Sequence, residues 1–434
     1  MRVAVVGAGW SGCAAAIQAT EQGHEVHLLE SARQAGGRAR GLLIEHRGQS
    51  LQLDNGQHIL IGAYSHCLAL MQMLGVDPKT HLLRSPLAVT FADGQGLALP
   101  AWPTWAPPTL AVALGVLRAR GWNLHDKLSL LRCAGRWQAM NFACGDQDSV
   151  LDLCTDLPER VIDDLIAPLC VSALNTPAGM ASGQVFLRVM KDALFASAGG
   201  ADLLLPTCDL GRLLPEAAVH WLRQKRQTVR LGARVQALQA QGPRWQLTIG
   251  QGQNTENQVF DAVLLACPAA EAVRLVSPLP RADAWRQSAQ ALQHQAIATV
   301  YAWAPGARLA RPMVALREGP QAPAQFAFDR SQLGGPEGLL AFVVSASTEE
   351  RAGLQAGVQA QARAQLGIAH LDVVQTVIER RATFACTPGL DRPGQQILPN
   401  HHNLLACADY VRGPYPATLE GAVRHGQAAA QTLQ

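Results

Sequence analysis

Gly7-Ala8-Gly9-Trp10-Ser11-Gly12 follows directly on the apolar run at residues 3–6 and opens a small-residue stretch, 13–22, suited to a helix. A second apolar run, 25–29, ends in Glu30, eighteen residues after Gly12. These types at this spacing describe a strand–turn–helix–strand unit that holds a dinucleotide. Gly7 permits the tight turn, Gly9 lets the backbone approach a pyrophosphate, and Gly12 lets the helix pack closely on its strand. The free N–H groups around Trp10 and Ser11, at the positive end of the helix, would receive the phosphates. Glu30 would take a ribose hydroxyl.

Gly36-Gly37-Arg38 comes next. Adjacent glycines expose backbone N–H groups, and Arg38 or Arg40 adds charge for a diphosphate. The pattern GxGxxG…E…GGR resembles the flavoprotein superfamily of amine oxidases and carotenoid desaturases, which implies FAD as cofactor. Near the other end, the apolar run 403–408 leads into Asp409, and Pro416-Ala417-Thr418 opens a last helix. Asp409 can bind ribityl or phosphate-side hydroxyls. The helix start at Pro416, Ala417 and Thr418 can stabilise negative charge on the pyrimidine edge of a reduced flavin. A plain helix cap at Thr418 is the competing reading.

Three stretches together, Asp54-Asn55-Gly56-Gln57-His58-Ile59-Leu60, Cys386-Thr387-Pro388-Gly389 and Pro416-Ala417-Thr418-Leu419-Glu420-Gly421-Ala422-Val423, resemble the hydroxysqualene dehydroxylases. These are the squalene-associated, FAD-dependent desaturase-like enzymes of bacterial hopanoid pathways. One departure is Ala408, where the superfamily often has glycine before the C-terminal acid. The resemblance implies that Gly56, Gln57 and His58 approach the flavin ring, with His58 as the one candidate for proton transfer. It further implies a backbone contact to the adenine near Val235, a C30 isoprenoid substrate, and an electron donor that the sequence does not identify. Asp54 reads as a turn or helix-entry residue. A carotenoid-type desaturase, an amine oxidase and a non-catalytic isoprenoid-lipid carrier stay open as alternatives.

The elements that must position these groups follow from length and pattern. A chain of 434 residues exceeds one core. The expected fold is α/β, a Rossmann-type FAD-binding domain of the amine oxidase/phytoene desaturase kind with a discontinuous α+β substrate domain. The FAD-binding domain would comprise 1–84, 203–272 and 394–434, the substrate domain 85–202 and 273–393. Runs 229–238, 245–249 and 260–266 each read as one strand of the returning nucleotide domain, and 151–204 as helical with a break near Asn175-Thr176-Pro177.

Net charge of +3 and no dense basic cluster argue against a nucleic-acid partner. The ten scattered cysteines and thirteen histidines show neither CxxC nor ligand spacing, so no metal is expected and the thiols read as reduced and mostly buried. Met1 starts almost on the first strand, which suggests a cytoplasmic protein. The uncharged stretches 94–117 and 165–187 are long enough to span a bilayer, but prolines interrupt both. The second is expected to line the substrate cavity. Peripheral contact with the inner face of the membrane is expected through 101–120, with Trp102, Trp105, Trp122, Arg118 and Arg120 as an interfacial set.

Overall fold

A computed structural model describes residues 1–103, 105–252, 254–399 and 401–433, so that Thr104 of the Trp/Pro-rich stretch lies outside the described residues. Arg2–Val6 is the middle of a five-stranded parallel sheet ordered Thr228–Leu231, Glu25–Glu30, Arg2–Val6, Ala262–Leu265, Leu404–Ala406. Apart from the edge strand Thr228–Leu231 these are short, largely buried strands rich in Val, Leu and Ala, with His27 and Glu30 the buried polar members, as a sheet covered on both faces requires. The chain first builds outward to one side of Arg2–Val6 and then crosses to the other. That reversal creates a ligand crevice at the carboxyl ends of Arg2–Val6 and Ala262–Leu265.

The first helix, Trp10–Glu21, and the last, Leu419–Gln431, pack tightly together against this sheet. Gly426 makes that approach possible, since a β-carbon there would lie 2.2 Å from the Ser11 carbonyl oxygen. The two ends of the chain are thereby locked at the mouth of the crevice.

Three expectations need correction. Residues 229–238 are two strands, because Gly232 at φ +72° turns the chain out of the parallel sheet. Ala233–Gln241 then starts an antiparallel meander with Arg244–Gln251 and Asn254–Phe260. The run 260–266 is divided likewise, at Asp261, whose carboxylate accepts from the Arg2 N–H at 2.7 Å. Third, the helical stretch stops short of 204. Ala167–Leu174 ends at Asn175 in the left-handed region, Gly183–Met190 follows, and Leu203–Pro206 is a strand paired with Leu60–Ile61 and Leu82–Ser85.

The second large sheet is antiparallel, ordered Met313–Ala315, Phe326–Asp329, Leu339–Ser347, His294–Trp303, Asp372–Phe384. Its alternating side chains divide between two cores. Ala298, Val300 and Phe342 pack under the helix Arg351–Leu366, whereas Tyr301, Phe326 and Phe328 join the main core shared with the helices Leu124–Ala139 and Gly183–Met190. The low-charge stretch expected to line a cavity contributes Ile166, Cys170, Leu174 and Phe186 to that main core.

Trp122 is also misassigned as interfacial. It is 6% exposed and donates Nε1–H to Asp164 at 3.1 Å. An indole that finds both burial and a polar partner is held in the fold. Among the described residues no helix is long and apolar enough to cross a membrane.

Candidate functional site

At the end of Arg2–Val6 the glycines have distinct geometries. Gly7 has φ +107°, and a β-carbon there would meet the Ala266 carbonyl oxygen at 2.8 Å. At Gly12 a β-carbon would fall 1.8 Å from the Gly7 carbonyl oxygen. Gly9 differs: no protein atom lies within 4 Å of its added β-carbon, so its outer face is open. The second glycine pair is laid against this loop. Gly36 N–H donates to Ala8 C=O at 2.8 Å, and Gly37, at φ +60°, sits with its β-position 3.5 Å from Gly9 Cα. Glu30 accepts from the N–H groups of Ala8 and Ala32, each at 2.8 Å, and its remaining lone pairs are what a ribose hydroxyl could reach. Trp10 is buried and serves packing, with Nε1–H directed to Ala39 C=O at 3.4 Å.

The open face at Gly9 and two orphaned polar atoms fit a dinucleotide diphosphate. Ser11 Oγ, in the first turn of the helix, and Arg40 Nε are buried without a partner among the described residues. Arg38 is placed differently from the expectation that it serves a diphosphate. Its Nη2 pairs with Asp409 at 2.7 Å and its Nη1 donates to Ala382 C=O at 2.6 Å, so its charge is already matched within the chain. The Asp409 carboxylate accordingly holds the guanidinium pKa above its ordinary value. Arg40 is the better placed cation.

Gly56, Gln57 and His58 form a loop whose every member is held. Gly56 adopts φ +106°. Gln57 N–H donates to Thr299 Oγ1 at 3.2 Å, and Gln57 Oε1 accepts from Arg330 Nη1 at 3.0 Å. His58 Nδ1 lies 2.8 Å from Gly56 C=O. A carbonyl only accepts, so Nδ1 carries the proton and Nε2 is left as an acceptor. Burial pushes the His58 pKa down and the charge of Arg38 acts in the same direction. The ring is therefore neutral near pH 7, and the acid role considered for His58 does not suit this tautomer.

Asp54 takes the helix-entry role, though for a distant segment: its Oδ1 accepts from Leu210 N–H at 2.8 Å, at the start of Leu210–Leu213. Tyr301 Oη donates to the Asp54 carbonyl at 3.0 Å.

At the far end, Thr418 caps the last helix, its Oγ1 accepting from Gly421 N–H at 2.9 Å. Ala417, at φ +55°, donates its N–H to Asp409 C=O at 3.2 Å, which folds the segment behind buried Pro416 back onto the strand end. Val235 is buried in the meander and its carbonyl accepts from Arg274 at 2.8 Å, while Gly232 N–H donates to Ala32 C=O at 2.8 Å beside the Glu30 strand.

Sequence reasoning missed Arg330, Tyr301 and the structural part of Glu420. Arg330 lies between Asp329 and Ser331, and Tyr301 in an apolar strand, with no motif around either. Glu420 was visible only as part of the C-terminal run, yet it is fully buried and accepts from His66 N–H, Cys67 N–H and Arg424 Nε. All ten cysteines are free thiols.

Residues 10–434 match the model of the flavin containing amine oxidoreductase family. Hydroxysqualene dehydroxylase of Rhodopseudomonas palustris is 30% identical, over 99% of this chain and 98% of its own. Likeness to the zeta-carotene desaturase of Zea mays is local, 36% identity over 22% of this chain and 16% of that protein. An oxidoreductase from Methanosarcina mazei shares the fold, with a TM-score of 0.71 at 15% identity, covering 99% of this chain and all of that one (100%). With a glycine cradle open at Gly9 and a family match that runs nearly end to end, this chain belongs to the flavin-containing amine oxidoreductase family and is an FAD-dependent oxidoreductase.

Proposed function

We propose that this protein reduces hydroxysqualene to squalene, releasing the hydroxyl as water, in the supply of hopanoid precursors. The observation that carries this reading is the full-length likeness to a hydroxysqualene dehydroxylase, against a desaturase likeness confined to about a fifth of the chain. Reduced FAD, when bound, would supply the hydride that replaces the hydroxyl on carbon, and a proton from the reduced flavin or from solvent would leave with the hydroxyl as water. Gly9, Ser11, Gly37 and Arg40 would hold its diphosphate in a turn shaped by Gly7, Gly12 and Gly36, Glu30 would hold its ribose, and Asp409 with the capped helix at Thr418 its far end. In this reading the FAD-binding domain comprises 1–84, 203–272 and 394–434, and 85–202 with 273–393 forms the substrate domain. The Gly56–His58 loop, fixed by Thr299 and Arg330, sets the reacting face. Neutral His58 would orient the substrate hydroxyl as an acceptor at Nε2. Exclusion of water from an apolar site would keep an allylic cation from being recaptured.

Anaerobic incubation with reduced FAD and hydroxysqualene in D₂O tests this, with products read by mass spectrometry. Squalene carrying one deuterium is expected. Hydroxysqualene left unchanged there, with squalene taken to a more unsaturated chain in a parallel incubation with oxidised FAD, would support the desaturase instead.

A bilayer-borne substrate also calls for membrane contact. Trp105 is 86% exposed, and Leu110, Leu117, Leu124 and Leu128 stand exposed on the neighbouring helices Pro108–Arg118 and Leu124–Ala139, with Arg118 and Arg120 beside them. An apolar face edged by basic residues suits the surface of anionic lipid. Trp102, half-buried with Nε1–H on Pro107 C=O at 3.1 Å, supports this face from below. In liposome flotation the wild type is expected to rise with anionic vesicles. Trp105→Ser with Leu117→Ser should reduce partitioning at least tenfold, since each large apolar side chain is worth about 1.5–3 kcal/mol on burial. A wild type that stays with the soluble fraction at low salt removes the idea.

A further inference from the structure

Arg330 follows the strand Phe326–Asp329 and turns inward, to 4% exposure. Its Nη1 donates to Gln57 Oε1 at 3.0 Å, its Nε is buried without a partner, and among the described residues the guanidinium forms no ion pair. The adjacent Asp329 is committed elsewhere, accepting from Leu309 N–H and Ser331 N–H at 3.0 Å and from Gln332 Nε2 at 2.8 Å. Asp54 lies within its field, but burial pushes that carboxyl up to about 7, which leaves it only partly ionised at neutral pH. A buried charge costs several kcal/mol unless something matches it. Such a cation, hydrogen-bonded to the Gln57 side chain, keeps charge free for a group bound against the Gly56–His58 loop.

We propose that Arg330 is a positioning residue: it fixes Gln57 and places an unmatched positive charge behind the Gly56–His58 loop, which favours the anionic, reduced state of the flavin bound in front of it. This rests on the assignment of that loop to the flavin ring. Three variants separate charge from shape. Gln57→Glu places a carboxylate against Arg330 and supplies the missing ion pair. Arg330→Gln removes the charge, and Arg330→Lys keeps it.

Spectroelectrochemical titration of the FAD-loaded proteins is the main measurement, with thermal melting of the flavin-free proteins beside it. Gln57→Glu is expected to melt near wild type, the new ion pair offsetting the lost Gln57 Nε2–His58 C=O hydrogen bond at 3.2 Å, while its reduced-to-oxidised ratio at a fixed potential falls at least tenfold, about 30 mV for a two-electron couple. Arg330→Gln should show the same fall in potential, and Arg330→Lys should stay near wild type. Yellow Gln57→Glu protein with an unchanged potential overturns the proposal, even if Arg330→Gln fails to fold. The titration uses no substrate. A failed hydroxysqualene assay beside a shifted potential would thus count against the proposed reaction and leave Arg330 in place.

Discussion

Gly9→Val is expected to give a folded protein that purifies without FAD. The position is unusual among the cradle glycines because an added β-carbon has open space: beyond its chain neighbours no protein atom lies within 4 Å of it. Its backbone, at φ −75° and ψ −177°, is one that valine adopts readily. The substitution therefore leaves the chain unstrained and fills only the space where a pyrophosphate would approach the helix end. Loss of at least a hundredfold in FAD affinity is expected, about 2.8 kcal/mol. Gly12→Val is the contrasting variant. Its β-carbon would sit 1.8 Å from the Gly7 carbonyl oxygen, so it should damage the fold itself. Absorbance at the flavin bands and thermal melting together distinguish the two. A Gly9→Val protein with one FAD per chain would mean that the diphosphate lies elsewhere.

What the sequence revealed of this molecule was what local chemistry dictates. Gly7, Gly9, Gly12 and Glu30 are readable because a dinucleotide turn demands particular residue types at fixed spacing over one supersecondary unit. The hairpin Gly41–His46 with Gln49–Asp54 is likewise a local matter, its turn made by Arg47 and Gly48, both at positive φ. The misses come from long-range partners. Nothing around Arg38 announces that Asp409, 371 residues away, takes its charge. The polar strand Asn254–Phe260 lacks alternation because its first residues face solvent at the sheet edge, so only its pairing with Arg244–Gln251 reveals it. Trp122 looked interfacial beside Trp102 and Trp105, yet Asp164 draws its indole inward. Arg330 carries no local signal either, and its meaning appears only once Gln57 is seen against it.

Glu420→Ala is expected to produce the largest loss of stability of any single carboxylate change. Its carboxylate is wholly buried and accepts from the N–H groups of His66 and Cys67, at 3.1 and 3.0 Å, and from Arg424 Nε at 2.7 Å. Two of these donors belong to the first turn of the helix Ser65–Met73, and the acceptor belongs to the first turn of Leu419–Gln431. One side chain thus caps one helix from the start of another and fixes the strap that carries Ala417 and Thr418. Alanine leaves the buried Cys67 N–H and the part-buried His66 N–H without their acceptor, and Arg424 without its anion. Each donor left unsatisfied costs about 1–3 kcal/mol. The expected fall in melting temperature is on the order of 10 °C. Glu420→Gln retains one acceptor and the shape, so it should lose clearly less. Arg424→Met, which removes a partner whose side chain is 30% exposed, should lose least, because solvent replaces it in part. FAD release on heating should follow the same order, since the strap and the last helix move as one piece. If Glu420→Ala melts within about 2 °C of wild type, this carboxylate does not tie the two helices, and the far end of the cofactor site is held by the Arg38–Asp409 pair instead.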